Sequence, residues 1–129
     1  HAKALEEAQR ALVMLDALPT YRAPLLGLMA LSRADRGDLD GAFEAASEAM
    51  RILDSVGGTL EGELLVRIAY AEGLRARGDV EGSKKAIREA RDRLLERSKR
   101  IKNPEWRRQF LEKLGEHQRI LMRAGEWLA

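Results

Sequence analysis

Nine Lys and Arg residues fall between Lys84 and Lys102, against only Glu89, Asp92 and Glu96. Within that run Lys84, Arg88, Arg91, Lys99 and Lys102 recur at steps that place them on one stripe of a helix. Cationic groups so arrayed have two chemistries open to them: following the phosphates of a nucleic acid, or docking an acidic protein. A third reading is a solvated face with its own ion pairs, because Glu89–Arg93 and Glu96–Arg100 are spaced i,i+4 with the acid first. No aromatic residue interleaves the stripe, so base stacking is not expected. The solvated face ranks first, an acidic protein partner second and nucleic acid last.

Catalytic chemistry has little to stand on. His117 is the only internal histidine, and its place beside Glu116 and Gly115 predicts an exposed or helix-capping role. There is no nucleophile elbow, phosphate-binding glycine loop or metal-ligand spacing. The expectation is no catalytic residue, no cofactor and no metal, and a chain that is not an enzyme. Cysteine is absent, which removes disulfide and thiol chemistry and fits a reducing, cytoplasmic location. The tripeptide Arg-Gly-Asp occurs twice, at 36–38 and 77–79. As an adhesion signal it would sit on an exposed loop tip; as a fold element it would sit at a corner that repeats.

The elements that must position these residues are helices. The chain has 129 residues, the size of one domain, with 45% hydrophobic and 34% charged residues. Ala, Leu, Glu and Arg dominate, and all are good helix formers. No apolar run approaches the roughly 18 residues of a membrane span, so no membrane partner is expected. His1 is not an initiator residue, so the chain is expected to belong to something longer. Residues 1–60 carry six Lys/Arg and nine Asp/Glu, residues 61–129 carry 17 and 12, so the second half is the basic one.

Apolar periodicity predicts helices over about Ala2–Ala17, Pro24–Arg36, Leu39–Ser55, Leu60–Arg77, Val80–Lys102 and Pro104–Leu128, the last with a possible break at Gly115. Pro19 and Thr20 are expected to end the first, and Pro24 suits a first-turn position. The predicted structural turns are Gly37 with Asp38 and Gly78 with Asp79, each a glycine stop followed by an aspartate N-cap. Thr59 is the expected cap of the fourth helix, and Asn103-Pro104-Glu105 is a strong start signal. On the fifth helix Val80, Ser83, Ile87, Ala90, Leu94 and Ile101 share the apolar face. Trp106, Phe110, Leu111, Leu114, Ile120, Leu121, Trp127 and Leu128 form an apolar C-terminal segment.

"RGDLDGAFEAASEAM" from Arg36 and "RGDVEGSKKAIREAR" from Arg77 align without gaps, 41 residues apart. Ala30 and Ala71 each precede the turn glycine by seven. With Ala42, Ala46 and Ala49, matched by Ser83, Ile87 and Ala90, this skeleton resembles the tetratricopeptide repeat (TPR). Leu26 and Arg67 stand where that pattern has Trp, Arg33 and Leu74 where it has Tyr, Asp54 and Leu95 where it has Pro. The resemblance covers about residues 2–100. It implies an all-α fold of antiparallel helix hairpins, stacked as a short TPR-like right-handed solenoid with a C-terminal capping helix. Residues 1–19 would be the second helix of a truncated repeat, 20–57 and 58–102 full repeats, and 103–129 the cap. TPR proteins hold peptides in a concave groove, which carried onto this chain is lined by Pro24, Gly27, Leu31, Leu65, Ile68 and Glu72, with Arg75 at its lower end. Such a groove is mostly apolar and suits an apolar helix or extended peptide better than a carboxylate.

The tail is similar to the closing segment of TPR arrays in large bacterial regulators, the multidomain serine/threonine kinases and signal-transducing ATPases. Ile101, Asn103, Pro104, Arg107, Phe110, Leu111, Ala124, Trp127 and Leu128 carry that likeness. It implies that Ala129 lies near a natural C-terminus and that any kinase or ATPase part lies outside this chain. The function expected is a non-catalytic protein–protein interaction or scaffold domain, the C-terminal regulatory part of a larger bacterial signalling protein, with a protein or peptide partner. Self-association through the Trp106–Leu128 face is the first alternative, and nucleic-acid binding by the 84–102 helix the second.

Overall fold

A computed structural model describes residues 2–14 and 19–129. Among them are seven helices and no strand: α1 (Ala2–Met14), α2 (Pro19–Asp35), α3 (Leu39–Ser55), α4 (Glu63–Ala76), α5 (Val80–Lys99), α6 (Pro104–Glu112) and α7 (Gly115–Trp127). The expected end of the first helix, at Ala17, lies outside the described residues.

The two Arg-Gly-Asp segments are helix corners. Gly37 and Gly78 sit at φ +85° and +86°, a conformation that side chains resist and glycine does not. The Asp38 amide donates to the Arg33 carbonyl at 2.9 Å and the Gly37 amide to Ala34 at 2.9 Å; Asp79 to Leu74 and Gly78 to Arg75 repeat this at 3.0 Å. That pair of bonds closes a helix end. The aspartate then opens the next helix. Asp38 Oδ1 accepts from the Gly41 amide at 3.0 Å and Asp79 Oδ1 from Gly82 at 2.8 Å. A Cβ on Gly41 or Gly82 would lie 2.3 Å from the capping carboxylate. Gly37, Asp38 and Gly41, and their counterparts Gly78, Asp79 and Gly82, thus each have a local duty at their corner.

The buried positions repeat in phase with the corners. Ala30 and Ala71, Ala42 and Ser83, Ala46 and Ile87, Ala49 and Ala90, Leu53 and Leu94 are all buried, each pair 41 residues apart. α2 folds back on α3, and α4 on α5; α4 also packs against both α2 and α3. One core cluster gathers Ala8, Leu12, Leu26, Met29, Leu53, Val66 and Ala69 from α1 to α4. A second gathers Leu64, Ile68, Ile87, Leu94, Ile120 and Ala124 from α4, α5 and α7. α4 therefore belongs to both, through opposite faces.

Three boundaries differ from the sequence expectation. α2 starts at Pro19, so Pro24 lies inside it rather than in its first turn. A proline there forfeits only one bond near the helix start, and its ring rests on Gly62, where a Cβ would come within 2.9 Å. α4 starts at Glu63, three residues late, because Gly62 is left-handed at φ +84°. Thr59 does not cap it; its hydroxyl accepts from Arg93 instead. α5 ends at Lys99, short of Lys102. Arg107 takes the Ile101 carbonyl at 2.9 Å, and Asn103 caps α6 by accepting from the Glu105 and Trp106 amides at 3.0 and 3.1 Å.

Candidate functional site

Among the described residues, Glu63, the first residue of α4, gathers three arginines. Its side chain is 0% exposed, and a bare carboxylate so placed would be heavily penalised. Three guanidiniums answer it. Arg67, one turn on, donates Nε to Oε2 at 2.8 Å. Arg93 and Arg97 reach across from α5, one turn apart. Arg93 donates Nη2 to Oε1 at 3.0 Å and Nε to Oε2; Arg97 donates Nη2 to Oε1. Arg67 also donates to the Gly58 carbonyl at 3.1 Å, and Arg93 to the Thr59 hydroxyl at 2.8 Å. The cluster thereby ties the 56–62 connection to both α4 and α5.

Burial by itself pushes the Glu63 carboxyl up, but the hydrogen bonds from Arg93 and Arg67 and the charges of Arg97 and Arg93 outweigh it. The group is held below its ordinary value and stays ionised. Beside the cluster, a surface cavity of about 330 Å³ is lined by Thr59, Asp92, Arg93, Glu96, Arg97 and Arg100.

A second ionic cluster joins α4 to α7. Glu72 accepts from Arg119 Nε and Nη2, both at 2.5 Å, and from Arg123 Nε at 3.2 Å. The hydrogen bond to Glu72 is the largest influence holding Arg119 more firmly protonated than usual. Arg75 lies 4.9 Å over the Trp127 ring, with Arg123 5.9 Å from the same ring.

The groove positions taken from the TPR likeness are therefore not equivalent. Leu31 and Leu65 are half-buried and Ile68 is wholly buried. Ile68 shares a cluster with Ile120 and Ala124 of α7. Glu72 and Arg75 are engaged by the same helix. What stays open on this side is the N-terminal part of α2. Tyr21 is 62% and Leu28 50% exposed. With Pro24 they recur at three and four residues, on one face. A cavity of about 390 Å³ lies there, lined by Thr20, Tyr21, Pro24, Glu61 and Gly62.

The basic stripe keeps Arg88, Lys99 and Lys102 exposed and Lys84 and Arg91 half-buried. Lys84 pairs with Glu81 and Lys99 with Glu96, both at 3.9 Å, and Arg91 with Asp92 at 3.2 Å. The ion pairs are not those the spacing suggests. Arg93 leaves Glu89 for the buried Glu63, since a carboxylate out of water attracts a cation far more strongly than one in it. Glu89 instead lies 3.9 Å from Arg67. Val80, expected on the apolar face of α5, is exposed, and Ser98 takes a buried place.

His117 corrects its expectation. It is buried, with Nδ1 donating to the Phe110 carbonyl at 2.8 Å and its ring 4.5 Å from the Phe110 ring. A carbonyl only accepts, so Nδ1 carries the proton. The α6–α7 corner folds His117 inward, which the polar neighbours Glu116 and Gln118 concealed. Trp106 corrects its own: it is 67% exposed and no residue of α6 is fully buried, so the apolar segment closing on the core is Phe110, Leu111, Ile120, Leu121, Trp127 and Leu128.

Sequence reasoning missed Glu63. Its i,i+4 spacing with Arg67 was legible, but nothing local showed that it would be buried or that Arg93 and Arg97 would meet it from 30 and 34 residues away. Among the described residues no group of three His, Cys, Asp or Glu side chains is placed to hold a metal ion, and no helix is long and apolar enough to cross a membrane. Comparison of the chain with family models, curated proteins and solved structures returns no match.

Proposed function

We propose that this chain is a non-catalytic protein-interaction module of TPR-like stacked helix pairs, in which α7 closes one end and α2 offers the binding face. The TPR-like reading is supported by the 41-residue phase shared by corners and buried positions, and by α4 packing against both helices of the preceding pair. The tail residues that resemble those of bacterial kinases and signalling ATPases suggest a regulatory role in such a parent. The partner is a protein or peptide with an apolar helical or extended segment.

The observation that carries the function is the apolar stripe Tyr21–Pro24–Leu28 beside an open cavity. Large apolar side chains on one face of a paired helix suit a partner's apolar segment. The test is selection of displayed peptides on the wild-type chain, with counter-selection on a Tyr21→Ser, Leu28→Ser variant. Binders with apolar residues at helical or alternating spacing, lost on the variant, are expected. Binders that ignore the variant, or no enrichment at all, reject this face.

Self-association is a second reading, favoured by the exposure of Trp106 on α6 together with Met122 on α7. Sedimentation of the wild type should then depend on concentration, and a Trp106→Ser change should abolish that dependence. A monomer at all concentrations rejects it.

A further inference from the structure

The Arg97 guanidinium spends one N–H on Glu63 and makes no other side-chain hydrogen bond among the described residues. A guanidinium has five such donors. Arg100, three residues on at the C-cap of α5, makes no side-chain hydrogen bond or ion pair with a described residue. Both line the cavity of about 330 Å³ with Arg93 and the Thr59 hydroxyl. Behind them Glu63 neutralises one of the three charges of Arg67, Arg93 and Arg97, and Glu89 lies near Arg67 at 3.9 Å. The two acids on the cavity wall have cations of their own: Asp92 is 3.2 Å from Arg91 and Glu96 is 3.9 Å from Lys99. The cavity thus faces surplus cationic donors held in place from below by a buried carboxylate.

We propose that this cavity, between the 56–62 connection and the C-terminal half of α5, binds a phosphate monoester dianion. Guanidinium forks match phosphate oxygens in pairs, and a hydroxyl beside them supplies a further donor. Glu63 fixes Arg93 and Arg97 before the ligand arrives, so little side-chain freedom is lost on binding. The site is separate from the Tyr21–Leu28 face, and it stands or falls independently of that face.

The test is calorimetric titration of the whole chain with inorganic phosphate and with O-phosphoserine, against sodium sulfate and sodium acetate at matched ionic strength. Both phosphates are expected to bind, phosphoserine at least as tightly, sulfate comparably as a tetrahedral dianion of the same charge, and acetate at least tenfold more weakly. Arg100→Gln, at an exposed residue that holds nothing in the fold, is expected to weaken phosphate roughly tenfold, as loss of one charge-assisted hydrogen bond would. Arg88→Gln, within α5 but outside the cavity, is expected to leave it unchanged. Binding of phosphoserine without inorganic phosphate also supports the site and assigns its source to a phosphorylated side chain. Equal responses to all four anions, no response to either phosphate, or equal loss in Arg88→Gln and Arg100→Gln overturns it.

Discussion

Glu63 shows what a single side chain can decide. Three arginines from two helices converge on a carboxylate that has lost all contact with water. Removing the carboxylate takes from Arg67, Arg93 and Arg97 the one acceptor they share and leaves their converging charges uncompensated. Glu63→Gln is therefore expected to destabilise the fold by about 2–3 kcal/mol at neutral pH, measured by urea denaturation. The loss should depend on pH with a definite sign. The folded-state pKa of Glu63 lies below its ordinary value of 4.5, so its stabilisation is complete above that value and is lost as pH falls through the folded-state value. The gap between wild type and variant should hold from pH 7 to pH 5 and narrow below about pH 4.5. A gap that widens on acidification would refute the assignment.

At the scale of elements, α6 and α7 look alike in composition and differ in duty. α7 places Ile120 and Ala124 in the second core and locks itself to α4 through Glu72, Arg119 and Arg123. α6 fully buries no residue and holds Trp106 outward. Ile120→Ala is expected to cost about 3 kcal/mol, in the range for a buried isoleucine truncated in a packed site. Trp106→Ala should change stability by less than about 0.5 kcal/mol, although it deletes the larger side chain. Thermal or urea unfolding of the two variants checks this order, and equal effects would mean that Trp106 is packed rather than exposed.

For the molecule as a whole, α4 is the element that makes one body of two cores. Val66 and Ala69 face the first cluster, while Leu64, Ile68 and Ala71 face the second. A helix buried on both sides couples their unfolding. Val66→Ala and Ile87→Ala, one in each cluster, should each lower the midpoint of a single urea transition, without changing its slope. Separate transitions, followed by tryptophan fluorescence from the α7 side and by circular dichroism for all helices, would show that the cores unfold independently.

Much of this was legible in the residues themselves. Glycine stops, aspartate and asparagine caps and the 41-residue phase act within one turn of the chain, so Gly37, Asp38, Gly78, Asp79 and Asn103 could be placed from sequence with their neighbours alone. The apolar periodicity of α5 likewise put Ile87, Ala90 and Leu94 inward, and the repeat match pointed to Ala42 and Ala49 as close-packed positions. Gly62 hid its effect, because its left-handed turn serves a contact with Pro24 across 38 residues. The burial of Glu63 and His117, the choice of Arg93 between Glu89 and Glu63, and the outward turn of Trp106 were decided only by the tertiary structure. Hydration and Coulomb energy depend on which distant helix removes the water, and sequence spacing along a single helix does not carry that information.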